Sequence, residues 1–232
     1  MERSNFVLPD MDPFSALDNE IARLQSFFSS LRPEDWRRPT GCDGWTVRDM
    51  LAHFDSDEEY DEACLNNSLK TLIGDVFDLD RFNDQQIKKR AYLSHEELLE
   101  QWRARQEGVR QAWQDLGLDA KIPTMIGPYP LRAQIWHLTS EYATHADDMD
   151  VEVPPDEQEK RILWRFQFSA FAVQEKKNPP DLELRGDRMV VTQEGHQRSF
   201  SREEFVAAVS ARLKLPENRD DRRLIKALRS LA

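Results

Sequence analysis

The sequence predicts a mainly α protein, a four-helix bundle over residues 1–153 followed by a small α+β domain over 154–232. Three observations lead there. Apolar residues recur at helical spacing through the first 150 or so positions. Helix-start signals and Pro/Gly breaks divide that stretch into four segments, each with one apolar stripe, the pattern of a bundle. After Pro154-Pro155 the character changes, and short β-type runs appear on either side of a Gly-Asp pair.

Taken in order, residues 13–30 place Phe14, Leu17, Ile21, Leu24, Phe27 and Phe28 on one helical face. Pro33 and the stretch from Pro39 to Gly44 interrupt the chain. Thr46 can cap a second helix, and Asp49 three residues on completes a capping-box-like pair; this helix is expected to run to Ser68. Ser94-x-x-Glu97 opens a third, carried by Leu98, Trp102, Val109, Trp113 and Leu116 to residue 117. Pro130 suits the first turn of a fourth helix over 130–149. Beyond the prolines, a helix is expected over 157–174, then strands Leu182–Leu184 and Met189–Val191 around a Gly186-Asp187 turn. Ser201-x-x-Glu204 opens a helix to Leu213, and a last helix spans 219–231. The Trp and Phe residues at helical spacing read as core, and the acidic run Asp55–Glu59 as solvated face.

Lys and Arg total 32 against 43 Asp and Glu, a net charge of −11. That balance opposes binding to a phosphate backbone or to anionic lipid, so neither nucleic acid nor membrane is an expected partner. No apolar run approaches a membrane span and the start carries no export signal, so a cytoplasmic protein is expected. Cys42 and Cys64 fit neither a disulfide framework nor a Cys-x-x-Cys metal pattern, and read as small buried hydrophobes. A homodimer is the default expectation for a bundle.

The chemistry-bearing residues gather on two helices. On the fourth, Gln134, His137, Glu141, His145 and Asp148 share an arc of roughly 80° along about five turns. Apolar Leu131, Leu138, Tyr142 and Met149 flank that arc, so it points inward, where carboxylates and imidazoles must be paired or metal-bound. On the second, His53 shares a face with Asp49, Asp57, Tyr60 and Cys64. Facing polar stripes inside a bundle are what a core metal site is built from. His137 and His145 are about 12 Å apart along the helix, so the pair beside His53 is either His137/Glu141 or Glu141/His145. Spacing leaves both open. Cys64 lies about 16 Å along its helix from His53, too far for a fourth ligand, and Asp57 competes weakly for that place.

Thr40-Gly41-Cys42-Asp43-Gly44-Trp45-Thr46-Val47-Arg48-Asp49-Met50-Leu51-Ala52-His53 closely resembles the first motif of the mycothiol-dependent maleylpyruvate isomerase family, within the DinB-like bundle superfamily. Glu141-x-x-x-His145-x-x-Asp148 is similar to its second motif. The resemblance implies a DinB-like four-helix bundle in which His53, Glu141 and His145 bind a metal and Asp148 is a nearby active-site acid. It also implies a low-molecular-weight thiol such as mycothiol as cosubstrate, and Arg212 as counterpart of an arginine supplied by the isomerases' C-terminal domain. Ala146-Asp147 stands where family members usually carry a Gly-Trp or similar pair, so the small-molecule substrate is left open.

Two imidazoles and a carboxylate suit Zn2+, with Ni2+, Fe2+ and Mn2+ as further candidates. A coordinated thiol loses its proton outright and becomes a strong nucleophile at neutral pH. Its addition to a small electrophile gives an isomerase or an S-transferase, with Asp148 and Tyr60 as candidates for proton handling. Two other readings stand beside this one: a hydrolase using bound water, and a bundle that binds metal or ligand without catalysis.

Overall fold

The computed structural model describes residues 6–74 and 78–231. It is mainly helical, as the sequence predicts, and divides into two compact units.

The first unit spans Pro13–Val151. Its four long helices are α1 (Pro13–Ser30), α2 (Val47–Leu65), α5 (His95–Leu116) and α6 (Leu131–Asp148). α1 packs on α6 and α2 packs on α5. The anticipated start signals operate: Thr46 and Ser94 each head a reciprocal capping box, with Asp49 and Glu97. Gly117, at φ 79°, ends α5. The interior is aromatic, as expected from the spacing. Phe28 stacks on Trp36 at 5.7 Å, Phe54 meets Tyr142 at 4.7 Å, and the Trp102 indole donates to the Tyr142 hydroxyl at 3.0 Å.

Three features differ from expectation. α2 stops at Leu65 rather than Ser68, because Asn67 turns into the left-handed region at φ 55°. Two short helices follow, α3 (Leu69–Ile73) and α4 (Leu79–Lys89), and α4 lies on α2. Between α5 and α6 a hairpin forms from β1 (Lys121–Thr124) and β2 (Gly127–Pro130), where only a connection was read.

A further correction is to the acidic run. Asp55, Ser56 and Glu58 are buried, not solvated. Arg90, just after α4, donates to Asp55 at 2.5 Å and to Glu59 at 2.8 Å. Gln101 and Arg105 on α5 reach Asp55 at 2.8 and 3.4 Å. A charge so deep is tolerated only with partners of this kind. They come from residues 69–105, which the periodicity of α2 cannot reveal.

The other unit comprises 152–231 with the segment 6–12, among the described residues. α7 (Pro155–Gln174) precedes an antiparallel sheet of β3 (Asp181–Arg185), β4 (Arg188–Gln193) and β5 (His196–Phe200), in that order. The first two strands were expected. The third was missed because His196-Gln197-Arg198 carries no apolar alternation; Glu194-Gly195, both at positive φ, turn the chain into it. α8 (Arg202–Val209) is shorter than expected and α9 (Arg219–Leu228) closes the unit. Phe166, Met189, Val191, Phe200, Phe205 and Leu224 are among its core residues. No helix among the described residues is long and apolar enough to cross a membrane.

Candidate metal centre

The loop before α2 determines where His53 lies. Pro39 bridges to Thr46, Thr40 N–H donates to Trp45 O at 3.1 Å, and Gly44 takes φ 82° to close the turn. The Gly41 N–H donates to the carbonyl of Asp148 at 2.7 Å, which fastens this loop to the end of α6. A Cβ on Gly41 would sit 2.8 Å from Asp148 Oδ1, so this close approach requires glycine. The two motifs, distant in sequence, are therefore one structural unit. The Thr46 capping box starts α2, and His53, two turns on, faces α6.

There it meets Glu141 and His145. His53 Nε2 lies 3.1 Å and His145 Nε2 3.0 Å from the same oxygen, Glu141 Oε1. One donor atom from each residue lies within 4.8 Å of the other two. Both histidines are buried, while the Glu141 side chain keeps 34% of its surface open. The imidazoles stand perpendicular, centroids 5.0 Å apart, and the half-buried Trp45 ring is 5.1 Å from His53 and 6.3 Å from His145. On its far edge, His145 Nδ1 contacts Asp148 Oδ2 at 2.8 Å.

Burial alone would push the Glu141 carboxyl up, but the charge of His145 and hydrogen bonds from both histidines hold it well below the usual range. Burial alone would lower His145; the Glu141 charge and the bond to Asp148 outweigh it and raise the imidazole well above its usual value. His145 thus holds a proton on Nε2 toward Glu141. A divalent ion taking that place substitutes positive charge for positive charge, so the surrounding acids stay compensated. Asp57 supplies a further test of fit. Its Oδ2 is buried without a hydrogen-bond partner, 3.5 Å from His53 Nε2, and burial pushes its carboxyl up to about 7. An acid cluster with an orphaned oxygen, two imidazole nitrogens and an ionised carboxylate is the donor chemistry a divalent cation requires.

The structure brings together His53, Glu141, His145 and Asp148. Of the two pairs that spacing leaves open, Glu141/His145 lies beside His53, and His137 Nε2 instead contacts the Tyr129 hydroxyl at 3.1 Å. Tyr60 is not drawn into the cluster: its hydroxyl accepts the Met125 N–H at the hairpin turn, at 3.1 Å, and burial pushes its pKa up. Arg212 belongs to the other unit, where its guanidinium donates to Ser210 O at 2.8 Å. Cys64 is buried as expected. Cys42 is not a buried hydrophobe; it is half-buried, with Sγ 3.3 Å from Asp148 Oδ2 and 3.6 Å from His145 Nδ1. The sequence carries no signal of this place, which follows from the Gly41 N–H to Asp148 O bond that draws the loop to the end of α6.

Residues 17–150, more than half of the chain, match the family described as the mycothiol maleylpyruvate isomerase N-terminal domain. The chain belongs to that family. Two crystal structures of mycothiol-dependent maleylpyruvate isomerase, one of them a His-to-Ala mutant, share the family fold with this chain. Their TM-scores are 0.54 and 0.53 at 13% sequence identity, over 72% of this chain and 69% of each of theirs. No curated protein is similar enough in sequence to count as a relative.

Proposed function

We propose that this family member is a thiol-dependent metalloenzyme acting on a small electrophile. His53 Nε2, Glu141 and His145 Nε2 hold a divalent ion, with Zn2+ best suited to two imidazoles and a carboxylate. The ion supplies the charge that lets a small thiol, mycothiol in the relatives' names, lose its proton at neutral pH. Asp148 keeps the His145 Nδ1 proton and so fixes the tautomer that presents Nε2, the usual task of a carboxylate behind a ligating imidazole. Trp45 lies against both imidazoles and limits water around them. The open third of Glu141 leaves a side from which the thiol and electrophile enter.

The thiolate adds to an electrophilic carbon. Its later expulsion gives an isomerase and its retention an S-transferase. Family membership favours the isomerase; Ala146-Asp147 in place of the usual pair leaves the electrophile to be found. The observation that carries this reading is the sharing of Glu141 Oε1 by two buried imidazole nitrogens, at 3.1 and 3.0 Å.

The test has two parts. Purified protein should bind one divalent ion, and His145→Ala should lose it. A panel of thiols should then include one on which turnover of electrophiles depends. A protein that takes up no ion overturns the reading, and so does turnover at equal rates without thiol, which would point instead to water as nucleophile.

A further inference from the structure

Behind His145, on the edge away from Glu141, stands a second set of donors with softer chemistry. Cys42 Sγ is 3.3 Å from Asp148 Oδ2 and 3.6 Å from His145 Nδ1, and that nitrogen is 2.8 Å from Asp148 Oδ2. The three atoms lie within 4.8 Å of one another. A tetrahedral zinc, with bonds of about 2.3 Å to sulfur and about 2.0–2.1 Å to nitrogen or oxygen, sets sulfur about 3.5 Å from its fellow ligands and nitrogen about 3.3 Å from oxygen. Both sulfur distances already agree with that figure. Only the nitrogen–oxygen pair must open, by about 0.5 Å, to match the tetrahedral spacing. His145 is buried, the Asp148 side chain is 5% exposed, and Cys42 is half-buried, so the sulfur is the accessible corner.

A neutral imidazole offers one lone pair, on Nδ1 or on Nε2. His145 can therefore serve the Glu141 side or the Cys42 side, not both. We infer that Cys42, Asp148 and Nδ1 of His145 form a second cation site, selective for thiophilic ions, that competes with the first for His145. When such an ion binds the metal-free chain, the thiol proton and the His145 Nδ1 proton both leave to solvent, and the proton on Nε2 stays toward Glu141 Oε1 at 3.0 Å. The first cluster is then left with His53 and Glu141 alone. A soft ion thereby switches off the centre without touching its open face. The competition, though not the cysteine site itself, rests on the function proposed above.

Cadmium is the probe. The metal-free full-length chain is titrated with Cd2+ while the ultraviolet thiolate-to-cadmium charge-transfer band is followed, and bound ions are counted after desalting. One equivalent should bind and raise the band. Cys42→Ser should abolish the band yet leave zinc affinity within about threefold, whereas Cys64→Ser should leave it intact. Zinc should raise the apparent Kd for cadmium in proportion to its concentration. Glu141→Gln, which weakens the first cluster alone, should keep the band and reduce that competition. Absence of the band, its survival in Cys42→Ser, or simultaneous full occupancy by zinc and cadmium overturns the inference. A band in a chain that takes up no zinc supports the cysteine site while counting against the proposed function, so the two failures are distinguishable.

Discussion

Replacing Glu58 by Gln should remove a large share of the alkaline weakening of this bundle, beside the shares of Asp57 and the buried Asp61. Glu58 is 1% exposed; its Oε1 accepts the Tyr142 hydroxyl at 2.5 Å, and its Oε2 is buried without a hydrogen-bond partner. Burial pushes its carboxyl from 4.5 up to about 8; the Tyr142 bond opposes that rise and the Asp55 charge adds to it. The folded chain therefore holds a proton that the unfolded chain releases. Stability from this group is complete below pH 4.5 and is lost as pH climbs through about 8. At about 1.4 kcal/mol per unit the gap corresponds to roughly 5 kcal/mol, an upper bound if water follows the ionised carboxylate inside. Gln keeps the shape and an acceptor for Tyr142, at a low-pH cost of about 1–2 kcal/mol for its unpaired amide hydrogens. The two stability curves should cross near pH 6, with the variant ahead by several kcal/mol at pH 9. Urea unfolding of both proteins in chelator, followed by tryptophan fluorescence from pH 5 to 9, measures the difference. Parallel curves over that range would refute the reasoning, because they would mean Glu58 titrates alike in both states.

Three other perturbations probe the site and its supports. Asp148→Asn should lower metal affinity about 10- to 100-fold in a calorimetric titration, since His145 loses the acceptor that orients it; unchanged affinity would remove Asp148 from that role. Gly41→Ala forces a methyl onto Asp148 Oδ1 at 2.8 Å, and should cost about 1–3 kcal/mol in thermal unfolding while weakening metal binding. An alanine variant as stable and as metal-competent as the parent would show that the clasp can yield freely. Arg90→Met leaves Asp55 charged and buried and should destabilise by about 3–5 kcal/mol; adding Asp55→Leu should recover most of it in chemical denaturation.

Much of the bundle was legible because its signals are local. Thr46 with Asp49, and Ser94 with Glu97, act within one turn, and the Trp102 and Trp113 stripe repeats on one helix. The polar arc on α6 was legible too, as a sequence period. What escaped depends on contacts between segments. The buried acids of α2 read as solvent-facing until Arg90 and Arg105 arrive from other elements. The choice between His137 and His145 turns on whether Tyr129, on a hairpin hidden in a proline-rich stretch, occupies one of them. Cys42 read as inert because nothing in its neighbourhood along the chain shows that the Gly41 amide lies against Asp148.

His53 and Glu141 are 88 positions apart. No fragment of the polypeptide that ends before α6 can own the cluster, so a nascent chain brings the proposed ligands together only once α6 has been made. An ion that binds the finished fold and not the open chain adds about 2.7 kcal/mol when present at a hundred times its dissociation constant. Under the proposed function, metal supply would then bear on how much of the chain stays folded as well as on how much is active.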